Sequence, residues 1–141
     1  MRLVALTISG VGFSIADDEL IDSNVSGPMG TPMVSKLDAT RCVVNWYNNV
    51  AEFDCKAAIV TLTGGALTPG SILTYSTGAA SRFYPAIGAL SDSRIAAAYV
   101  YSDTMAVKTL SGASTTLTDN ANEITPIASG NIPSVAVMKA I

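Results

Sequence analysis

The sequence predicts an all-β chain made of four-stranded antiparallel units of about 48 residues, and three observations carry that prediction. A short pattern, Thr-apolar-Ser/Thr-Gly, recurs as Thr7-Ile8-Ser9-Gly10, Thr61-Leu62-Thr63-Gly64 and Thr109-Leu110-Ser111-Gly112. Each of these glycines is followed 21 or 22 residues later by a proline that opens a short apolar stretch: Pro32-Met33-Val34, Pro85-Ala86-Ile87 and Pro133-Ser134-Val135. Nine residues after each of the first two prolines stands an arginine, Arg41 and Arg94, at the head of an apolar run. A self-similar chain spreads its core over units that cannot bury it alone, so the period has to be read before any residue is given a role.

One unit reads strand by strand from its second occurrence. Residues 85–90 form a short strand rich in small residues, Ser91-Asp92-Ser93 a turn, and residues 94–101 a longer apolar strand. Ser102-Asp103 is a two-residue hairpin turn, residues 104–110 return to the Ser-Gly corner, and residues 114–127 form a weaker strand broken at Asp119-Asn120. Ile95-Ala96-Ala97-Ala98 favours helix on propensity alone. The β-branched and aromatic flanks and the turn signals at roughly ten-residue intervals outweigh it. Counted this way, the chain holds the last half of a unit (1–31), two complete units (32–84 and 85–132) and the first strand of another (133–141). Starting and stopping inside a unit fits a ring fastened by a shared edge. The shared unit lacks the strand that begins with arginine, which is either dispensable or supplied by a neighbour.

Composition points to assembly. Charged residues are 13% of the 141 residues, about half the ~25% usual in soluble domains, and the mean hydropathy is +0.40. Part of the surface is therefore expected to be covered by copies of the chain or by a host assembly. A net charge of -3 with 8 scattered Lys and Arg gives no footprint for nucleic acid. Residues 3–6 are apolar but Thr7, Ser9 and Gly10 interrupt them, so this stretch is expected to be a strand rather than a signal peptide, and no run approaches the ~20 residues of a membrane helix.

The form Leu-Asp/Ser-x-x-Arg-apolar-x-x-x-aromatic, seen from Leu37-Asp38 and Arg41 to Trp46 and from Leu90-Ser91 and Arg94 to Tyr99, precedes each of the last two Thr-Leu-Ser/Thr-Gly corners. This pattern resembles the degenerate repeats of bacteriophage tail-fibre and other virion proteins, and the four-stranded unit resembles a β-propeller blade. The resemblance implies a non-enzymatic structural or binding module, on a virion or outside the cell, that recognises glycans or docks on a particle. Propellers need about four to eight blades, so closure requires either two chains pooling six blades in a homodimer or a threefold form such as a β-trefoil or β-prism. The threefold form would be a free-standing lectin-like protein. In a propeller the first strands, residues 34–37, 87–90 and 135–138, would line the crowded centre.

Catalysis has little to work with. The chain has no histidine, hence no triad, no imidazole base and no His-ligated metal. Its two cysteines, Cys42 and Cys55, are too few for a disulfide framework or a zinc site, and free thiols are expected. No metal or cofactor is expected. Asp17-Asp18-Glu19 reads as a solvated loop. Asp119-Asn120-Ala121-Asn122-Glu123 has the oxygen density of a calcium loop, but Ala121 stands where a ligand should be and no glycine follows, so an Asx-type turn is expected.

Arg41 and Arg94 recur and are expected to tie one unit to the next. The ligand candidates are residues that break the period: Trp46, Tyr47, Asn49, Glu52, Phe53, Asp54 and, separately, Arg82 beside Phe83 and Tyr84. The distance from arginine to corner glycine is 23 in one unit and 18 in the other, which places five extra residues between Tyr47 and Lys56. An aromatic platform beside carboxylates and amides suits a sugar, whose apolar face stacks while its hydroxyls are hydrogen-bonded. The alternative is that Trp46 is core and the insert a variable loop. Alignment of the units pairs Asn48 with Lys56. A rival register turns at Asn48-Asn49 and sets Cys42 opposite Cys55, close enough for a disulfide.

Overall fold

Residues 1–23, 32–48, 54–77, 82–101 and 104–128 are described in a computed structural model. Period-2 alternation and turn residues organise them into strands, with no helix among the described residues. The first sheet is a hairpin of β1 (Arg2–Ser9) and β2 (Gly12–Leu20). The second holds β3 (Met33–Lys36), β4 (Arg41–Asn48), β5 (Asp54–Thr63), β6 (Ala66–Pro69) and β7 (Leu73–Ser76). The third holds β8 (Arg82–Ala89), β9 (Arg94–Tyr101), β10 (Thr104–Ala113) and β11 (Thr116–Ala128). Pairing is antiparallel and sequential within each sheet, β6 and β7 both lying beside β5, and none of the three sheets closes into a barrel.

The second sheet is buried on both faces. Val43, Cys55, Ala57, Ile59 and Tyr75 pack with Ile87, Ile95, Tyr99, Leu110 and Leu117 of the third sheet. On the opposite face Val44, Trp46, Ala58 and Val60 pack with Leu3 and with Ile21, which follows β2. Double burial explains why β4 and β5 read as apolar runs rather than alternating ones, and each large side chain buried this way contributes about 1.5–3 kcal/mol.

Matching corners lead into β4 and β9. The N–H groups of Leu37 and Asp38 donate to the Arg41 carbonyl, and those of Leu90 and Ser91 donate to the Arg94 carbonyl. Asp38 Oδ1 accepts from the Thr40 and Arg41 N–H groups at 2.8 Å each, while Ser91 Oγ accepts from the Ser93 and Arg94 N–H groups at 3.3 and 3.0 Å. Short side chains thus satisfy turn donors locally, the reason Asp and Ser are found there.

Two expectations about register are corrected. Gly10 and Gly64 both open tight turns with φ of 60°, a conformation that costs glycine little. In the third sheet that place belongs to Ser114, φ 54°. Gly112 lies two residues earlier, inside β10, opposite Leu117. The third Thr-Leu-Ser-Gly echo is therefore out of phase by two residues, and its glycine has a different cause: a Cβ on Gly112 would stand 2.9 Å from Ile59 Cδ1 across the sheet interface. The β4–β5 register expected from that echo shifts with it. Asn48 pairs with Asp54, not Lys56, and Tyr47 pairs with Cys55. The β4–β5 connection thus has five residues against two between β9 and β10, an excess of three rather than five. Cys42 faces Val60 in the ladder and lies on the opposite side of the sheet from Cys55, so the disulfide register is excluded and the two cysteines are not bonded to each other.

The break expected at Asp119-Asn120 is a bulge rather than an end. Leu110 pairs with Asp119 but Lys108 with Glu123, and Ala121 has a φ of 56°. Asp119 Oδ1 accepts from the Ala121 N–H at 2.9 Å, the Asx-type turn anticipated there. The first sheet shifts register between Ala5 and Leu6, and in the second the step from β6 to β7 falls beside β5 between Val60 and Ala57.

Candidate binding surfaces

Trp46 lies on β4 between two sheets, so both its faces are covered. It is 0% exposed, and its indole Nε1 donates to Asp22 Oδ2 at 3.1 Å. The Lys56 ammonium stands 3.6 Å from the same carboxylate oxygen. A ring with no exposed face offers no platform for a sugar; Trp46 is core, and its polar edge anchors the segment after β2. Tyr47 is buried as well, at 4%. Asp54 is partly buried at the start of β5, with its Oδ1 buried and unbonded. Arg82 opens β8 opposite Tyr101. Its side chain, and all of Asn49, Glu52 and Phe53, fall outside the described residues.

Where the second and third sheets meet, an open polar cavity of about 320 Å³ is lined by Thr74, Ser76, Thr77, Lys108, Asp119 and Glu123, with Tyr75 and Tyr99 beneath. The Asx bulge of β11 shifts the register by two residues, so that Glu123 rather than Ala121 stands opposite Lys108 while Asp119 stands opposite Leu110. Lys108 Nζ donates to the Tyr75 carbonyl at 2.8 Å and to Asp119 Oδ2 at 2.9 Å, with Glu123 Oε2 at 3.6 Å. Tyr99 donates its phenolic proton to Glu123 Oε2 at 2.5 Å. Tyr75 and Tyr99 meet edge to face with centroids 5.9 Å apart, and burial holds the Tyr75 hydroxyl well above the ordinary range, in its neutral form. The arrangement offers carboxylates, an ammonium and hydroxyls to a polar ligand. Among the described residues no group of three or more His, Cys, Asp or Glu side chains is placed to hold a metal ion.

The second surface is apolar. Val4, Leu6, Ile8, Ile15 and Leu20 of the first sheet are between 45% and 77% exposed. A groove of about 290 Å³ runs beside β1, lined by Leu3, Leu6, Val34, Cys42, Val60 and Leu62 among others. Along β1, Leu3 and Ala5 point toward the second sheet while Val4, Leu6 and Ile8 point away. Among the described strands, β1 pairs only with β2.

Reading the sequence missed both surfaces as sites. Lys108 is a lone cation in an apolar strand, and its partners are set by a bulge that spacing does not reveal. The outward set Val4, Leu6 and Ile8 was legible as alternation, but which set faced the core required knowing where the second sheet lies. Comparison with protein-family models, curated proteins and solved structures finds no match to this chain.

Proposed function

We propose that this chain is a non-enzymatic structural and binding module that works as a homo-oligomer, a dimer pooling six sheets in a propeller-like ring, on a virion or outside the cell. The observation that carries this reading is the apolar outer face of the first sheet, where Leu6 is 54% and Ile8 77% exposed. Patches of this kind mark association surfaces. The low charge of the chain agrees with a covered surface, and no imidazole is present for catalysis. The virion setting rests on the likeness of the Leu37 to Arg41 and Leu90 to Arg94 corners to degenerate tail-fibre repeats. Light scattering on the purified chain tests the oligomer: a dimer mass is expected, and a monodisperse monomer at micromolar concentration overturns it.

The polar cavity favours a second reading, a carbohydrate-binding protein. Glu123 and Asp119 can accept from sugar hydroxyls, and Thr74, Ser76 and Thr77 can share them. Glycan-array binding that is lost in Glu123→Gln would support it, and an array with no binding would leave the chain a scaffold.

A further inference from the structure

Corresponding positions of the three sheets are fixed by their ladders. Arg41 lies opposite Thr61 and Arg94 opposite Ser111, and the turns that follow open at Gly64 and Ser114, as the first sheet's opens at Gly10. Counted back from those turns, Leu6, Val60 and Leu110 correspond, as do Val4, Ala58 and Lys108. Val60 and Leu110 are 1% and 0% exposed because each packs on the sheet before it, Val60 on the first and Leu110 on the second. Leu6 points the same way from the first sheet and is 54% exposed. In both cases where the molecule covers this position, the cover is another sheet of this same chain.

The third sheet shows the complementary feature. Arg41 reaches from the second sheet onto the third, donating through Nη1 to the Ser114 carbonyl and through Nη2 to the Asp92 carbonyl, each at 3.0 Å. Arg94 is its counterpart, on the face of β9 that points away from the second sheet. It is exposed, and while its backbone closes the corner with Leu90 and Ser91, its guanidinium makes no hydrogen bond or ion pair among the described residues. Around it a depression of about 270 Å³ is lined by Leu90, Thr109, Ser111, Asn120 and Asn122.

We infer that the end of the third sheet's outer face around Arg94, which is open while Ala86, Ala98 and Val100 farther along that face are buried in the single chain, receives the β1–β2 hairpin of a second copy, with Leu6 and Ile8 of the partner subunit over Leu90 and Thr109, and with Arg94 donating to the carbonyl of Gly10 of the partner subunit. Gly10 holds in the first sheet the turn position that Ser114 holds in the third, so the contact repeats the Arg41 to Ser114 bond between chains. Two such contacts related by a twofold axis close a dimer. This interface rests on the oligomer reading above and specifies its surface.

Four variants read by light scattering and by dissociation constants from dilution test it. Leu6→Asp is expected to give a monomer with unchanged circular dichroism, because the residue is exposed in the single chain; Ile8→Lys replaces it should that variant fail to fold. Arg94→Ala is expected to weaken the dimer roughly a hundredfold, about tenfold for the charge-assisted bond lost at each of the two symmetric contacts. Ile72→Asp, at a residue that is 41% exposed in the connection between β6 and β7 and belongs to neither the first nor the third sheet, is expected to keep the wild-type mass. A wild-type monomer overturns the oligomer reading itself. A wild-type dimer that survives both Leu6→Asp and Ile8→Lys, or that Ile72→Asp disrupts as strongly, overturns only this interface. A dimer weakened by Leu6→Asp but indifferent to Arg94→Ala overturns the contact with Gly10.

Discussion

Arg41 and Ser114 are 73 residues apart in sequence and joined by a 3.0 Å hydrogen bond from the Arg41 guanidinium to the Ser114 carbonyl. The guanidinium is aimed by Asp38, whose Oδ2 accepts from Nε at 2.6 Å, and its third contact is the Asp92 carbonyl. One planar fork thus joins its own corner to two turns of the neighbouring sheet, a geometry an ammonium cannot reproduce. Arg41→Ala is expected to lower stability by about 1–2 kcal/mol through the two lost carbonyl bonds, and Arg41→Lys to recover only part. Arg94→Ala, whose side chain has no partner to lose among the described residues, should leave monomer stability within about 0.5 kcal/mol of wild type. Urea unfolding of the three variants checks this contrast.

The single tryptophan reports its own environment. Trp46→Ala is expected to cost about 3–5 kcal/mol and to unfold a marginal domain. Trp46→Phe removes the indole donor from the buried Asp22 carboxylate and is expected to cost about 1–3 kcal/mol while the fold persists. Wild-type fluorescence should be blue-shifted and resistant to acrylamide quenching, as suits a ring that is 0% exposed. Strong quenching in the native state would place the ring at the surface.

Gly70 meets the third sheet more closely than any side chain could. A Cβ there would lie 1.9 Å from the Thr115 carbonyl oxygen, a backbone atom that cannot turn aside, whereas the atom facing Gly112 is the mobile Cδ1 of Ile59. Gly70→Ala is expected to cost about 1–3 kcal/mol or more by forcing the sheets apart. Gly112→Ala should cost less. Thermal unfolding of the two variants should preserve that order.

Acid titration should expose the corner of the second sheet. The Thr40 backbone N–H, and after it the Arg41 side chain, hold the Asp38 carboxyl down from 3.8 to about 2. A depressed carboxyl contributes stability that is complete above its unfolded value and is lost as pH falls through the folded one. The urea midpoint is therefore expected to fall from pH 3.8 toward about 2, less steeply in Asp38→Asn. Tyr75 acts at the other end: with its neutral form favoured by burial, the unfolded chain loses a proton above 10.0 that the folded chain keeps, so stability drops as pH rises past that point. Tyr75→Phe should remove that basic limb.

How much of this was legible depends on the range of the interaction. Strand order, the corners at Asp38 and Ser91, and the Asx turn at Asp119 follow from local side-chain chemistry, and the sequence displays it directly. The phase of the third sheet does not, because Gly112 answers to Ile59 on another sheet while Ser114 adopts the left-handed turn conformation usually given to glycine. The role of Trp46 was open for the same reason: an aromatic beside a long connection reads equally as platform or core until the covering sheet is located. Lys108 acquires its partners only when a bulge shifts Glu123 by two residues relative to Asp119.

The central claim is that the outward face of the first sheet is covered when the protein is assembled. The most direct measurement is the relaxation of methyl groups by a soluble paramagnetic chelate at the concentration where the protein is assembled. The methyls of Leu6, Ile8 and Ile15 are expected to be shielded nearly as well as those of Val60 and Leu110, while Ile72 relaxes freely. Leu6 and Ile8 methyls that relax as strongly as Ile72 would contradict the claim.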